Sequence, residues 1–313
     1  MQTEIRENRT LPAAAAVMGF AMLIGFIDNL VPAIADELGL WQFHLIRTTM
    51  ALPVFALAGL VLGLRLRPLN PRAVAARSLV HGIALMIYFG CLAFMSVAEA
   101  AAGMFTAPIF VLILSKLVYG HALGPVRVLA VGVGFLGVLL MLTPGGGQGP
   151  GWLGLLPVAA GALYALGNLA TREWCPGENA LTLTLGFFLA LGLGGLFGTV
   201  LFTALPLAVP EGAAGFALRG WVWPSGLSLV LIAATVLGGA LGMGLLIRGY
   251  QLAEASRVSI FEYAVLPVAA LWGWLIWGQS LSGVAVLGMA LIALAGSMTL
   301  WRGREVTHTV HET

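Results

Sequence analysis

The sequence predicts an all-α integral membrane protein with ten transmembrane helices in two five-helix inverted repeats. Three observations carry that prediction. First, 60% of the 313 residues are hydrophobic and only 9% are charged, where a soluble domain has about 45–50% apolar and about 25% charged residues. Second, the apolar residues gather into ten runs long enough to span a bilayer. Third, the two halves of the chain share a weak common pattern. The same composition excludes a disordered or collagen-like chain, and a net charge of +2 offers no basic field for nucleic acid. Cys91 and Cys175 lie far apart without metal-ligand spacing and read as small buried thiols.

A helix needs about 20 apolar residues to cross the hydrocarbon. Read between charges and Gly/Pro breaks, the runs cover 13–35, 42–64, 77–96, 100–119, 125–143, 152–171, 181–204, 227–247, 257–277 and 283–301. The first follows Arg6 and Arg9 and ends at Ala33-Ile34-Ala35, as a signal peptide would. It is long for one and holds Asp28 and Asn29, so it reads as a retained span. With the N-terminus in the cytoplasm, all of the 15 basic residues except Arg219 and the intramembrane Arg47 fall on that side. The positive-inside rule therefore predicts an inner-membrane protein with both termini cytoplasmic, residues 1–12 and 302–313 forming the tails. Trp41, Trp152, Trp221, Trp223 and Trp301 fall at span ends, where aromatic belts are expected.

The halves 13–143 and 152–301 repeat one another. Gly25-Phe26-Ile27-Asp28-Asn29-Leu30 aligns with Tyr164-Ala165-Leu166-Gly167-Asn168-Leu169, and Ala98-Glu99-Ala100 with Ala253-Glu254-Ala255. A proline follows in each later helix, Pro108 and Pro267. Tyr119-Gly120-His121-Ala122-Leu123 and Trp277-Gly278-Gln279-Ser280-Leu281 then precede Gly-rich final helices. Five spans per half is an odd number, so the second half must enter the membrane inverted, an architecture by which transporters make two oppositely open states. These residues resemble the EamA repeats of the drug/metabolite transporter superfamily across nearly the whole chain. The resemblance implies ten helices, a small-molecule substrate and no catalytic or metal centre or cofactor. The family turn usually reads Gly-Glu; here it reads Gly120-His121 and Gly278-Gln279, so no role for that carboxylate carries over.

Polar groups inside a bilayer cost roughly 2.5–3.5 kcal/mol on insertion scales, so each needs a reason. Helical spacing puts Gly25, Asp28, Asn29 and Pro32 on one face of the first helix, and His44, Arg47, Thr48 and Ala51 on one face of the second. His81 and Tyr88 lie seven apart in the third. The sixth presents Gly161, Tyr164, Asn168 and Thr171, and the ninth Ser259, Glu262 and Tyr263. Five narrow polar stripes suit a solvated central cavity. Asp28 and Arg47 lie at similar depth and are expected to pair, either as a gate or substrate anchor or as a structural pair fixing two helices. Glu262 reads as an inner gate, proton site or substrate contact, or as a snorkelling carboxylate. Asn29 and Asn168 occupy equivalent points and serve either substrate or an interhelical hydrogen bond. His81, Tyr88, Tyr164, Tyr263 and Trp272 complete the candidate lining. Glu99 and Glu254 read as loop or cap residues.

Gly132-Val133-Gly134-Phe135-Leu136-Gly137 matches a dinucleotide fingerprint, but no strand precedes it, and its glycines read as helix-packing positions, as do Gly238 and Gly242. The expectation is a secondary transporter, monomer or homodimer, moving an amino acid-like or planar vitamin-like solute by alternating access, with Asp28 and Glu262 open to proton coupling. Breaks at Pro32, Pro108 and Pro267 supply hinge points or polar contacts. A channel or pore, and an intramembrane enzyme acting on lipid, are the alternatives.

Overall fold

The computed structural model describes residues 9–91, 97–142, 151–278 and 282–308. The turn residues Gln279, Ser280 and Leu281, most of the N-terminal tail and the side chains of Glu99, Trp152, Trp277 and Trp301 fall outside the described residues. Among the described residues the chain is helical and contains no strand. In order come α1 (Thr10–Asp28), α2 (Val31–Ala35), α3 (Leu40–Leu62), α4 (Pro71–Cys91), α5 (Val97–Met104), α6 (Ala107–Leu117), α7 (Pro125–Leu142), α8 (Leu155–Glu173), α9 (Ala180–Ala204), α10 (Gly226–Leu252), α11 (Ala255–Glu262), α12 (Val265–Trp277) and α13 (Gly283–His308). The last of these continues past residue 301, where the sequence places the start of a tail.

Among the described residues, seven helical stretches are long and apolar enough to cross a membrane: Thr10–Ala35, Leu40–Leu62, Pro71–Cys91, Ala180–Ala204, Gly226–Leu252, Ala255–Ile276 and Gly283–Leu300. The other three predicted runs fall on α5 with α6, α7, and α8. The first is split at Phe105–Thr106, the second is short in its apolar part, Pro125–Leu140, and the third carries Asn168, Thr171, Arg172 and Glu173.

Three helix pairs are interrupted, and each break precedes a proline. Pro32 enters α2, Pro108 enters α6, and Pro267 lies in the first turn of α12. Proline has no N–H, so the carbonyl four residues earlier loses its helical donor; here these are the carbonyls of Asp28, Met104 and Tyr263. The Tyr263 carbonyl instead accepts from the Leu266 N–H at 3.2 Å, and the Thr106 hydroxyl turns back to the Gly103 carbonyl at 2.6 Å.

The helices pack as α1 on α10, α4 on α8, α3 on α9 and α7 on α13, with α6 against α11. Lipid supplies no hydrophobic drive between apolar helices, so close approach of small residues has to hold them. A Cβ on Gly198 of α9 would come 2.1 Å from the Trp41 ring of α3, and one on Gly137 of α7 would come 2.6 Å from the Gly288 carbonyl of α13. Of the fingerprint-like glycines, Gly134 and Gly137 therefore pack helices, as expected, whereas a Cβ on Gly132 would meet nothing within 4 Å. The opposite face of α9, with Leu193, Leu196, Phe197 and Val200 exposed, is left for lipid. Cys91 and Cys175 are free and buried.

Candidate substrate cavity

A cavity of about 210 Å³ lies where the interrupted helices meet the middle of the bundle. Every helix except α7 and α13 contributes to its wall, which extends the five stripes expected from sequence. Seven aromatic rings face it: Phe20, Phe43, Tyr88, Phe89, Phe105, Tyr164 and Phe187. Its polar side chains are Asp28, Arg47, Tyr88, Tyr164, Thr235 and Glu262.

Asp28 ends α1 and Arg47 lies two turns into α3. Both line the cavity, yet among the described residues no salt bridge joins them, which corrects the expected ion pair. The reason is what holds Arg47. One guanidinium nitrogen, Nη2, donates to the Thr235 carbonyl of α10 at 3.3 Å. Its flat face lies 5.0 Å from the Phe188 ring centroid and 5.7 Å from that of Phe43, a cation–π setting that favours the charge in a dry site. The space it occupies exists because residue 239 is glycine: a Cβ there would come 2.0 Å from Nη2. Among the described residues the Asp28 carboxylate has no hydrogen-bond donor and Nη1 of Arg47 no acceptor. The two charges interact across the cavity without closing on each other.

At the other pole Glu262, the last residue of α11, is held by two donors. The Tyr250 hydroxyl donates to Oε1, and Asn168 Nδ2 donates to the same atom at 3.4 Å. The cluster ties α8, α10 and α11 together and is almost entirely buried. It lies toward the end of the bundle where α1 begins, since the Arg9 N–H bonds the Leu252 carbonyl at the close of α10.

The remaining sequence candidates stand apart from the cavity wall. Asn29 turns aside and donates to the Gly25 carbonyl at 2.7 Å and to the Ala269 carbonyl of α12 at 3.1 Å, the interhelical alternative. His81 is fully buried with its ring 4.5 Å from that of Tyr164, and neither ring nitrogen has a partner. Tyr263 points the opposite way from Glu262, onto α7, where Gly134 makes room for its ring. Trp272 packs edge-on against Phe26 at 5.0 Å. Periodicity names the residues that share a face but not which neighbour that face meets. Glu254 caps α11 and pairs with Arg127 at 2.7 Å and Arg257 at 3.3 Å, close to its expected role.

Two residues escaped the sequence reading. Tyr250 follows Arg248 and looks like a span end. Arg77 opened a predicted run but is the largest fully buried side chain, donating to Thr171 Oγ1 at 3.0 Å and to the Leu183 carbonyl at 3.2 Å. Pro71 was the available signal: proline favours the first helical position, which starts the helix six residues earlier and puts Arg77 inside it.

The model of the EamA-like transporter family matches the chain twice, over residues 11–143 and 152–301. The chain belongs to the EamA-like transporter family. It is a multi-pass membrane protein, and its family and relatives point to transport rather than catalysis. A riboflavin transporter of Rhizobium johnstonii is 32% identical over 184 residues, which cover 59% of this chain. The match spans only 55% of that relative's length. A riboflavin transporter of Vibrio cholerae is 28% identical over 75% of this chain and 76% of its own. A solved crystal structure superposes with a TM-score of 0.75 over 96% of this EamA-like transporter and 99% of the other chain, at 19% identity, a likeness of fold alone.

Proposed function

We propose that this chain is a secondary transporter that carries riboflavin, or a closely similar flat heteroaromatic solute, across the inner membrane by alternating access. The observation that carries this reading is the cavity itself: seven aromatic rings around a carboxylate that has no hydrogen-bond donor and a guanidinium whose Nη1 has no acceptor among the described residues. Aromatic faces favour a flat ring, and a desolvated charge pair held apart favours a ligand that completes both. The names of the two relatives point to the same solute.

Alternating access rests on the repeat layout, and the packing supports it. Exchanging the halves turns the α1–α10 contact into α8–α4, α3–α10 into α9–α4, and α1–α12 into α8–α6, all of which occur. Two carboxylates add to this. Glu37, after α2, accepts from Ser225 and Ser228 at the start of α10; Glu178, after α8, accepts from the Asn70 N–H at 2.8 Å at the start of α4. Each ties the end of a repeat's first helix to the third helix of the other repeat, on opposite faces. In this reading there are ten spans, both termini are cytoplasmic, and the Glu262 cluster closes the cavity on the cytoplasmic side.

The test is binding, then flux. Riboflavin at 100 times its dissociation constant should stabilise the detergent-purified protein by about 2.7 kcal/mol, and Asp28→Asn or Arg47→Gln should shrink that shift at the same riboflavin concentration. Uptake of riboflavin into proteoliposomes should saturate and should accelerate under an imposed pH gradient; equal rates with and without the gradient rule out proton coupling. An amino acid, with its ammonium on Asp28 and carboxylate on Arg47, is the second reading that this pair favours. A shift with amino acids and none with riboflavin would establish it instead.

A further inference from the structure

The cavity has two chemically different poles, and they lie far apart. Asp28 is 18 residues along α1 from Thr10, and Glu262 is seven residues along α11 from Ala255, both helices starting at the same end of the bundle. At about 1.5 Å per residue the poles are separated by on the order of 15 Å along the bundle. The Asp28 pole offers an acceptor and a donor together: the unpaired carboxylate and Nη1 of Arg47. Phe43, Tyr88 and Phe89 line the wall beside it on α3 and α4. The Glu262 pole offers mainly an acceptor. A carboxylate has about four acceptor positions; Tyr250 and Asn168 both donate to Oε1, which leaves acceptor positions on the carboxylate open.

Resting on the flavin reading above, we propose that the two poles read the two ends of one flavin. Asp28 and Arg47 take the imide edge of the flat ring system, and Glu262 takes the hydroxyl-bearing chain. The imide edge presents an N–H flanked by two carbonyls. Its N–H donates to the Asp28 carboxylate and a carbonyl accepts from Arg47, so both charges gain a partner. The chain presents hydroxyls, which donate to the open acceptor positions of Glu262. The reverse orientation sets imide carbonyls against the Glu262 carboxylate and strands Arg47. The separation of the poles requires a solute with a polar group at each end, which a ring without the chain does not have.

The experiment is a competition binding series on the purified full-length protein with three ligands: riboflavin, riboflavin methylated at the imide nitrogen, and lumiflavin, which keeps the ring and replaces the chain with a methyl group. A hydrogen bond to a charged group is worth about ten- to hundredfold in affinity, so wild type should bind each altered ligand at least about tenfold more weakly than riboflavin. Asp28→Asn should bind riboflavin and its imide-methyl derivative alike while still rejecting lumiflavin. Glu262→Gln should do the converse. If either substitution prevents folding, Arg47→Lys and Tyr250→Phe probe the same poles, and the wild-type series needs no variant. Riboflavin binding that is indifferent to imide methylation or to loss of the chain overturns the assignment and leaves the flavin reading standing, as does discrimination that neither variant moves. Failure of wild type to bind any flavin overturns the flavin reading and the assignment with it.

Discussion

Arg47 shows how one missing carbon can set up a site. Its guanidinium fits between the rings of Phe43 and Phe188 only because Gly239 has no side chain. Gly239→Ala should push the guanidinium out of that slot, costing about 1–3 kcal/mol in stability through overpacking and removing the donor the cavity presents. Gly132, in α7, has nothing within 4 Å of where its Cβ would stand. Gly132→Ala should therefore be neutral or gain up to about 1 kcal/mol from helix propensity. Thermal unfolding of the two variants, with and without riboflavin, checks both, and equal behaviour would remove Gly239 from the argument. Asp28, Arg47, Tyr88, Tyr164 and Glu262 were legible in the sequence because a polar residue in a membrane helix must face something polar. Asn29 obeys the same rule by bonding the backbone of another helix, whereas the polar atoms of His81, Tyr263 and Trp272 are buried against other helices without hydrogen-bond partners among the described residues, and no spacing within one helix distinguishes these cases.

At the scale of the element, the prolines were readable and their effect was not fully so. Each breaks a span into two helices, and all three breaks contribute residues to the cavity wall, at Asp28–Val31, Met104–Pro108 and Glu262–Leu266. The sequence counted 100–119 as one helix because hydropathy is blind to a missing N–H. If the break in the ninth span is a hinge, Pro267→Ala returns a donor to the Tyr263 carbonyl. It should raise thermal stability by up to about 3 kcal/mol while slowing transport. A variant that is both more stable and as fast as wild type would show the break to be passive. The clamps between repeats make a pH prediction outside the membrane. Hydrogen bonds from Ser228 and then Ser225 hold the Glu37 carboxyl below its ordinary 4.5. A depressed folded-state pKa means that this stabilisation is complete above the ordinary value and is lost as pH falls through the depressed one. Glu37→Gln should thus lower stability near neutrality and flatten the acid limb of the stability profile, with Ser228→Ala following in the same direction.

At the scale of the whole molecule, the proposed duplication rests on a few matched residues in the sequence, and the packing supports it through pairs of helices that no alignment of one chain could place together. That symmetry bears on how the transporter moves. The Glu262 cluster joins α8, α10 and α11, and beyond it on α4 lie Arg77, Ser78 and His81, buried polar groups of which Ser78 and His81 have no hydrogen-bond partner for their side chains. Unsatisfied groups of this kind are costly in a dry interior. They are accounted for if the opposite state wets them, so that the energy of the two states stays close enough for exchange. Releasing the cluster should then favour the state in which this region opens. In a background without Cys91 and Cys175, Ser78→Cys should react slowly with a membrane-impermeant thiol reagent applied from the side of the N-terminus, and faster when Glu262→Gln or Tyr250→Phe is added. Riboflavin should change that rate, because it binds the two states unequally if it is carried between them. A cysteine at 78 that stays unreactive in every background would mean that the Arg77 region is fixed packing, and that the path to that side runs elsewhere between the halves.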